Sequence, residues 1–151
     1  MPDATIKAIT TTILRVPWPQ TQWLRGHPFG DTRDFVVLDL ETSDGIAGMG
    51  YLFLFAPTMK TITACLEETI VPRVLGKDAT AVEAIWQDLW RASVTYGRGG
   101  IAAMAMSLLD IALWDRSASG RSCRCIGCGA IVARNCRLTA AAVSAAAAAT
   151  A

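Results

Sequence analysis

The sequence predicts an α+β fold in which a three-stranded antiparallel meander is followed by a helical bundle. Two observations carry this prediction. Residues 4–55 hold three stretches rich in Ile, Val, Thr and Phe, whereas residues 56–115 hold three longer stretches with apolar residues at helical spacing. A chain in which strands come first and helices second is typical of an α+β domain.

The three strands are predicted on separate grounds. Residues 4–16 are rich in Ile, Thr and Val and alternate in part, which favours a strand. Residues 34–55 predict two strands around a tight turn at Asp44-Gly45, because glycine accepts a positive φ at little cost. Residues 17–33 lie between these stretches, contain three Pro, two Gly and two Trp, and are predicted to form a long loop.

The first two predicted helices each carry an apolar stripe. The helix over residues 56–76 should end or kink at Pro72. The helix over residues 78–93 should begin with a capping box of Thr80 and Glu83, or with Asp78 as its cap. The stripe residues, which are expected to lie in the core, are Met59, Ile62, Leu66 and Ile70 in the first helix and Val82, Ile85, Trp86, Leu89 and Trp90 in the second.

The third predicted helix, residues 99–115, is apolar almost all round and should therefore be central and buried. The Gly-rich segment before it, YGRGG at residues 96–100, lacks the Lys-Ser/Thr of a phosphate loop, which favours a tight connection over an anion site. Asp110 and Asp115 do not share a helix face closely. We therefore expect both carboxylates to form hydrogen bonds with neighbouring backbone or with another domain. We do not expect them to act as a catalytic carboxylate pair.

Composition excludes several classes of protein. The 151 residues suit about one domain, 52% of them are hydrophobic, and the net charge of +1 suggests no nucleic-acid or membrane partner. The N-terminus lacks the pattern of a secretory signal, and Asp110 and Asp115 interrupt the longest apolar stretch, which is too short to span a bilayer. Because Cys65 alone lies before residue 116, no disulfide framework is expected, and a cytoplasmic setting is the default.

The composition changes abruptly near Asp115. Residues 1–115 carry nine Lys and Arg against thirteen Asp and Glu, whereas residues 116–151 carry five Arg and no acidic residue, and they end in an Ala-rich run. Such a change predicts one domain over residues 1–115 and a separate tail over residues 116–151. The Ala-rich end has too little apolar variety to specify packing, which predicts a disordered tail.

Three segments in order carry a resemblance to a known family. The hairpin ETSDGIAGMGYLF, the helix AVEAIWQDLW and the stretch YGRGGIAAMAMSLLDIALWD resemble the N-terminal capping domain of the mandelate racemase/muconate lactonizing enzyme family, in the enolase superfamily. The segment GYLF before a Pro-containing loop is most similar to the mandelate racemase branch. The resemblance covers about residues 4–115. It implies a parent enzyme with a Mg²⁺ ion, a racemase or dehydratase that abstracts the α-proton of hydroxy-acid or sugar-acid carboxylates.

The resemblance also implies substrate-contacting loops. In the family, the loop between the first two strands closes over the active site, and here that loop contains Trp23, Leu24 and His27. The end of the third strand and the following loop also line the pocket, which implicates Tyr51, Phe53 and Phe55. Alternatives without substrate contact stay open. His27 suits an ordinary loop residue. Strand alternation puts the three aromatic residues on one face, which favours packing in the core.

The match ends at Asp115. The family pattern continues with Leu-x-Gly-Lys and then Leu-Pro-aliphatic-x-x-Leu, but RSASGRSCRCIGCG supplies neither. If the codons from residue 115 to residue 128 are read one frame away, permitted codons give Pro-Leu-Gly-Lys-Arg-Pro-Glu-Leu-Pro-Leu-Tyr-Arg-Leu. This reading contains Leu-Gly-Lys and Leu-Pro-Leu-Tyr-Arg-Leu. We therefore hypothesise a frame shift at about residues 115–116.

On this hypothesis the chain is a capping domain followed by an out-of-frame tail. A catalytic barrel needs at least about 200 residues, so the barrel is expected to be missing, with no catalytic residue, metal or cofactor in this chain and with self-association through helix 99–115. The alternative is a complete small α+β interaction module with a metal-binding tail. Its ligands would be Cys123, Cys125, Cys128 and Cys136, although their spacing fits neither a common zinc pattern nor an iron–sulfur pattern.

Overall fold

The computed structural model describes residues 4–17, 32–54 and 58–120. Three strands, β1 (Ile6–Pro17), β2 (Thr32–Thr42) and β3 (Ala47–Leu54), form an antiparallel sheet in the order β1-β2-β3. The predicted meander is therefore confirmed, and it is followed by helices, as an α+β fold requires.

The turn between β2 and β3 forms where Asp44-Gly45 predicts it. Gly45 has a φ of +78°, a conformation that side-chain-bearing residues rarely adopt. The Asp44 carboxylate accepts hydrogen bonds from the Thr42 hydroxyl and from the Ile46 backbone N–H, which lies 3.2 Å away. The turn is thus held by its own side chains as well as by the ladder of the two strands.

The first helical segment is not uniform. It consists of α1 (Met59–Cys65), one π-helical turn (Leu66–Ile70) and α2 (Val71–Val74). The predicted stripe of Met59, Ile62, Leu66 and Ile70 is buried along all of it. Pro72 lies in the first turn of α2, directly after the π turn. Because proline has no N–H and crowds the carbonyl four residues earlier, the helix widens there and continues to Val74.

The second helix, α3 (Val82–Ala92), begins later than the sequence predicts. Asp78 accepts hydrogen bonds from the backbone N–H and the hydroxyl of Thr80, at 2.9 and 2.8 Å, and so stabilises the turn that precedes the helix. No side chain caps the helix at Ala81. The predicted capping box of Thr80 and Glu83 is wrong, because Thr80 is still part of that turn.

The tryptophans of α3 depart from the predicted core stripe. Val82, Ile85 and Leu89 are buried as expected, but Trp86 is half-buried and Trp90 is 39% exposed. The two indole rings stack on each other with centroids 6.5 Å apart. Core packing is therefore the wrong prediction for Trp90, since the packed surface of the helix is narrower than its apolar stripe.

The last helix, α4 (Ile101–Gly120), lies across β3 and is longer than predicted. It follows the connection at residues 96–100, where Arg98 Nε donates to the Trp90 carbonyl oxygen at 3.2 Å. Most of its apolar side chains are buried, which confirms the prediction of a central helix. Among the described residues, no helix is long and apolar enough to cross a membrane.

Two glycines of β3 make the close approach of α4 possible. A Cβ atom on Gly48 would collide with the Ala112 carbonyl oxygen, and one on Gly50 would collide with the Leu108 carbonyl oxygen. Since Gly48 and Gly50 are two residues apart, they lie on one face of the strand. At these two positions that face carries no side chain, so the backbone of α4 packs directly against the strand.

Candidate functional site

The sheet face opposite the helices carries a group of apolar and aromatic side chains. Phe35 lies across from Phe53 and Val37 lies across from Tyr51, while Leu14 on β1 pairs with Phe35. The rings of Phe35 and Phe53 are 5.8 Å apart between centroids and tilted by 36°. We call Leu14, Phe35, Val37, Tyr51 and Phe53 the outer face.

The structure brings together two of the predicted site residues. Tyr51 is half-buried and Phe53 is 44% exposed, and both lie outside the hydrophobic core that the helices cover. The alternative that they pack in that core is therefore wrong. The remaining predicted contacts, Trp23, Leu24, His27 and Phe55, lie outside the described residues.

The sequence contains the signal that would have placed Tyr51 and Phe53 correctly. They alternate with Gly48 and Gly50, so the two sets of positions must point to opposite faces of β3. The glycine face is the one that a helix can approach closely. The aromatic residues are consequently directed away from α4.

The outer face lies next to the origins of both predicted capping loops. Pro17 and Thr32 are paired at the ends of β1 and β2, and Asp34 pairs with Leu54 at the end of β3. The loop after Pro17 and the loop after Leu54 therefore leave the sheet at the same end. Leu14, Phe35 and Phe53 form a row close to that end, and Val16 paired with Arg33 lies one row nearer to the loop origins on the same face.

An ion pair fixes the strands at the same end of the sheet. Arg15 binds the Asp34 carboxylate through two nitrogen atoms, at 2.7 and 2.8 Å, across the β1–β2 pair. The Arg15 guanidinium holds the pKa of Asp34 below its usual value, chiefly through this hydrogen bonding. Asp34 therefore stays ionised at neutral pH, and the pair ties together the two strands from which the first loop arises.

The opposite end of the sheet is acidic on its outer side. Asp39 and Glu41 follow Val37 on the same face of β2, towards the β2–β3 turn. Desolvation, with a further contribution from the negative charge of Glu41, raises the pKa of Asp39. The face is thus divided into an aromatic end near the loops and an acidic end near the turn.

Buried polar groups join α4 to the β2–β3 hairpin. The Asp115 carboxylate accepts the Met49 backbone N–H at 3.0 Å, and the buried Arg116 guanidinium pairs with Asp44. These contacts confirm that Asp115 hydrogen-bonds to neighbouring backbone and is not half of a carboxylate pair. Asp110 lies instead beside the Trp114 side chain, with which it shares a hydrogen bond, and burial raises the pKa of Asp110.

An open groove of about 640 Å³ runs between the start of α3 and the C-terminal half of α4. We call it the α3–α4 groove, and its lining residues are Thr80, Ala81, Val82, Glu83, Ala84, Trp114 and Ser117. Trp114 is 40% exposed, and no other large apolar side chain of α4 is as open to solvent. The sequence did not single out this groove, because it forms between helices about thirty residues apart.

Within residues 4–17, 32–54 and 58–120, no group of three or more His, Cys, Asp or Glu side chains is arranged to hold a metal ion. The four cysteines of the predicted alternative, Cys123, Cys125, Cys128 and Cys136, lie outside the described residues.

The sequence model of a protein family, the N-terminal domain of mandelate racemase/muconate lactonizing enzyme, matches residues 8–123 of this chain. A 3,6-anhydro-alpha-L-galactonate cycloisomerase of Streptomyces coelicolor is 34% identical over 112 residues, which make up 73% of this chain and 30% of that protein. A D-mannonate dehydratase of Caulobacter vibrioides is 42% identical over 84 residues, which make up 55% of this chain and 20% of that protein.

Solved structures share the fold of the described domain. A racemase from Streptomyces coelicolor with bound magnesium superimposes with a TM-score of 0.67 at 31% identity, covering 75% of this chain and 32% of that one. The chain thus spans about a fifth to a third of the length of these relatives. The similarity lies in the sheet and helices described above.

Proposed function

The chain belongs to the mandelate racemase/muconate lactonizing enzyme family, whose N-terminal domain it contains, and we propose that this domain caps the active site of a Mg²⁺-dependent enzyme. That enzyme would be a racemase or dehydratase abstracting the α-proton of a hydroxy-acid or sugar-acid carboxylate. The names of the relatives, a cycloisomerase and a dehydratase of sugar acids, support this class. The observation that carries the proposal is the aromatic end of the outer face beside the origins of both loops.

The capping role follows from the chemistry of that surface. Phe53 is exposed and Leu14 is half-buried, and both flank the buried ring of Phe35 at the loop end of the sheet. A surface of this kind excludes water, which strengthens the electrostatic interactions of a carboxylate substrate in a closed site. Within this proposal the substrate-contacting residues are Trp23, Leu24, His27, Tyr51, Phe53 and Phe55.

The catalytic chemistry belongs to a second domain in this proposal. When bound there, Mg²⁺ would stabilise the enediolate that forms after loss of the α-proton. The described residues of this chain hold no matching ligand set. We expect the 151-residue protein to have no turnover of its own. The proposal also includes a cytoplasmic location, which the sequence suggests.

Proton exchange tests this expectation. The purified chain is incubated in D₂O with Mg²⁺ and a panel of hydroxy acids and sugar acids, and exchange of the α-proton is followed by NMR. No exchange above the rate without protein is expected, while a full-length family member serves as the positive control. Reproducible exchange by the 151-residue chain would refute the proposal.

The proposal includes the shift of reading frame. It is supported by the Arg-rich, acid-free composition of residues 116–151 and by the family-like segment in the neighbouring frame. On this view residues 1–115 are the capping domain and residues 116–151 are an out-of-frame tail. Its first five residues continue α4 and are ordered, contrary to the predicted boundary of disorder at residue 116, and residues 121–151 lie outside the described residues. Sequencing the DNA across and beyond codon 115 decides the matter, and an uninterrupted frame with no neighbouring family-like reading ends this part of the proposal.

Two further expectations belong to the same proposal. Without a partner domain, the chain should self-associate weakly through α4, where Trp114 is the exposed large apolar residue. Sedimentation velocity over a concentration series measures this association.

The competing interaction module requires stoichiometric zinc or iron held by Cys123, Cys125, Cys128 and Cys136, together with a protease-resistant tail. Metal analysis and limited proteolysis separate the two readings.

A further inference from the structure

The first strand, β1, forms an edge of the sheet. The strand order β1-β2-β3 leaves one side of β1 without a neighbouring strand, although β1 is 12 residues long. Its first residue, Ile6, is covered on that side, because its N–H donates to the Lys77 carbonyl oxygen at 2.9 Å and its carbonyl oxygen accepts from the Gly76 N–H at 3.0 Å. Beyond Ile6, the described residues form no backbone hydrogen bond to β1 other than those of β2.

The middle of β1 is open to solvent on both faces of the strand. Thr12 and Ile13 are consecutive, so their side chains point to opposite faces, and both are exposed, Ile13 by 39%. The rest of the chain therefore does not enclose this part of the strand. An exposed edge strand presents a row of N–H and C=O groups on which another strand can pair.

The features that usually protect an edge strand lie only at the two ends of β1. A bulge follows Ile6, and Pro17 ends the strand. Between them, the stretch ITTTILRV at residues 9–16 contains one charged residue, Arg15, whose guanidinium already pairs with Asp34 on β2. The open part of the edge is thus rich in Thr and Ile and has no unpaired charge to repel a second strand.

We infer that the edge of β1 pairs with the same edge of a second copy of this chain. Antiparallel pairing of two identical edges about a two-fold axis lets the outward N–H and C=O groups of each copy bind those of the other. A neutral edge favours this occupant over a charged peptide, because the pairing needs no complementary charge. The inference depends neither on the reading frame nor on the capping role, since β1 lies far before residue 115.

The limits of the open edge indicate the register of the pair. Thr12 is the middle of residues 8–16, which lie between the bulge and Pro17, so an axis at Thr12 pairs this whole stretch. It places Thr12 opposite Thr12 of the second copy, a favourable cross-strand pair, and makes the two Ile13 side chains diagonal neighbours. An axis at Thr11 would instead bring Lys7 opposite Arg15 of the second copy, where like charges oppose pairing.

Sedimentation velocity of the full chain at increasing concentration tests the inference. Ile13→Lys should raise the dissociation constant of the dimer about 10-fold, because it removes apolar cross-strand contacts and brings two like charges together. Val94→Lys is the matched control, because Val94 is 62% exposed in the connection after α3 and the same change there should leave the constant unchanged. Both variants are also made with Trp114→Ser, which removes the separately proposed contact through α4, and the difference between them should persist.

Mixing two variants tests whether both copies contribute β1. Ile13→Glu alone should weaken the dimer as Ile13→Lys does, whereas an equimolar mixture of the two should associate about as well as the parent, because opposite charges then meet across the axis. Hydrogen exchange of the backbone amides of residues 8–17 should slow as the concentration of the parent rises. Circular dichroism checks that each variant is folded.

The inference is overturned if the parent chain stays monomeric, or if Ile13→Lys and Val94→Lys weaken association equally. It is also overturned if the mixture associates no better than either variant alone, which would exclude a two-fold pair of β1 strands. Loss of all association in Trp114→Ser would leave α4 as the contact and would likewise end it. The capping proposal and the frame shift are unaffected by these results, because proton exchange and DNA sequencing test them separately.

Discussion

The same three strands form both faces of the sheet, but the helices cover only one of them. On the helix side, Val36, Leu38 and Leu40 have no exposed surface and belong to the core. On the outer side, Phe35 and Val37 are buried, but Tyr51 is half-buried and Phe53 is 44% exposed, although both are larger than the residues that the helices cover. Size and hydrophobicity therefore do not determine which face of this sheet becomes the core.

The difference is explained by what each face allows to approach. Gly48 and Gly50 offer α4 a bare strand surface, where helix carbonyl oxygens come within contact distance of the β3 backbone. The side chains of Tyr51 and Phe53 would prevent such an approach from the other side. One face thus supplies the stability of the domain, and the other is left with apolar groups for the proposed capping function.

The largest contrast between the faces is expected from truncation to alanine. Leu38→Ala should lower the free energy of unfolding by about 2–5 kcal/mol, because a fully buried leucine is replaced by a cavity. Phe53→Ala on the outer face should cost about 1 kcal/mol, mainly from lost contact with Phe35. Urea denaturation followed by circular dichroism gives both values. Equal losses would mean that the outer face contributes to the core after all.

The close approach of α4 is tested by adding a methyl group. Gly50→Ala should cost about 1–3 kcal/mol, because the new Cβ meets the Leu108 carbonyl oxygen and the helix must shift. The control is Thr12→Val on the outer side of β1, where an exposed residue changes stability by no more than about 0.5 kcal/mol. An unchanged urea midpoint for Gly50→Ala would contradict the contact between α4 and β3.

A pH-dependent effect is expected from the Asp44 side chain in the turn between β2 and β3. The Thr42 hydroxyl, the Ile46 N–H and the Arg116 guanidinium hold the pKa of Asp44 below its usual 3.8. Because the folded-state pKa is lowered, the stabilisation is present above the unfolded-state pKa and is lost as pH falls through the folded-state pKa. Asp44→Asn should therefore be less stable than the parent at about pH 6. The difference should shrink as the pH falls below 3.8 and Asp44 of the parent becomes protonated.

Urea midpoints of the two proteins across this range measure the effect. Glu68→Gln, on the exposed side of the π-helical turn, is the control and should leave the pH dependence unchanged. A difference that persists at the acid end would assign the contribution of Asp44 to packing and not to its charge.

The sequence predicted most elements because their patterns are local. Alternation predicted the strands, Asp44-Gly45 predicted the turn, and the spacing of Val82, Ile85 and Leu89 predicted the buried side of α3. The capping box at Thr80 failed, because Asp78 binds Thr80 within a preceding turn and moves the helix start to Val82. The prediction that Trp90 lies in the core was wrong, because helical periodicity does not show how wide a strip of the helix its neighbours cover.

By itself, the sequence determined that Tyr51 and Phe53 share one side of their strand and that the chain carries the motifs of a capping domain. Alternation and motif order depend on neighbouring residues, so they can be read along the chain. Only the tertiary structure decided that α4 packs across β3 and that Trp114 opens onto a groove beside α3. Both outcomes depend on where α4 packs, and that position is set by contacts between residues far apart in sequence, such as Gly50 with Leu108.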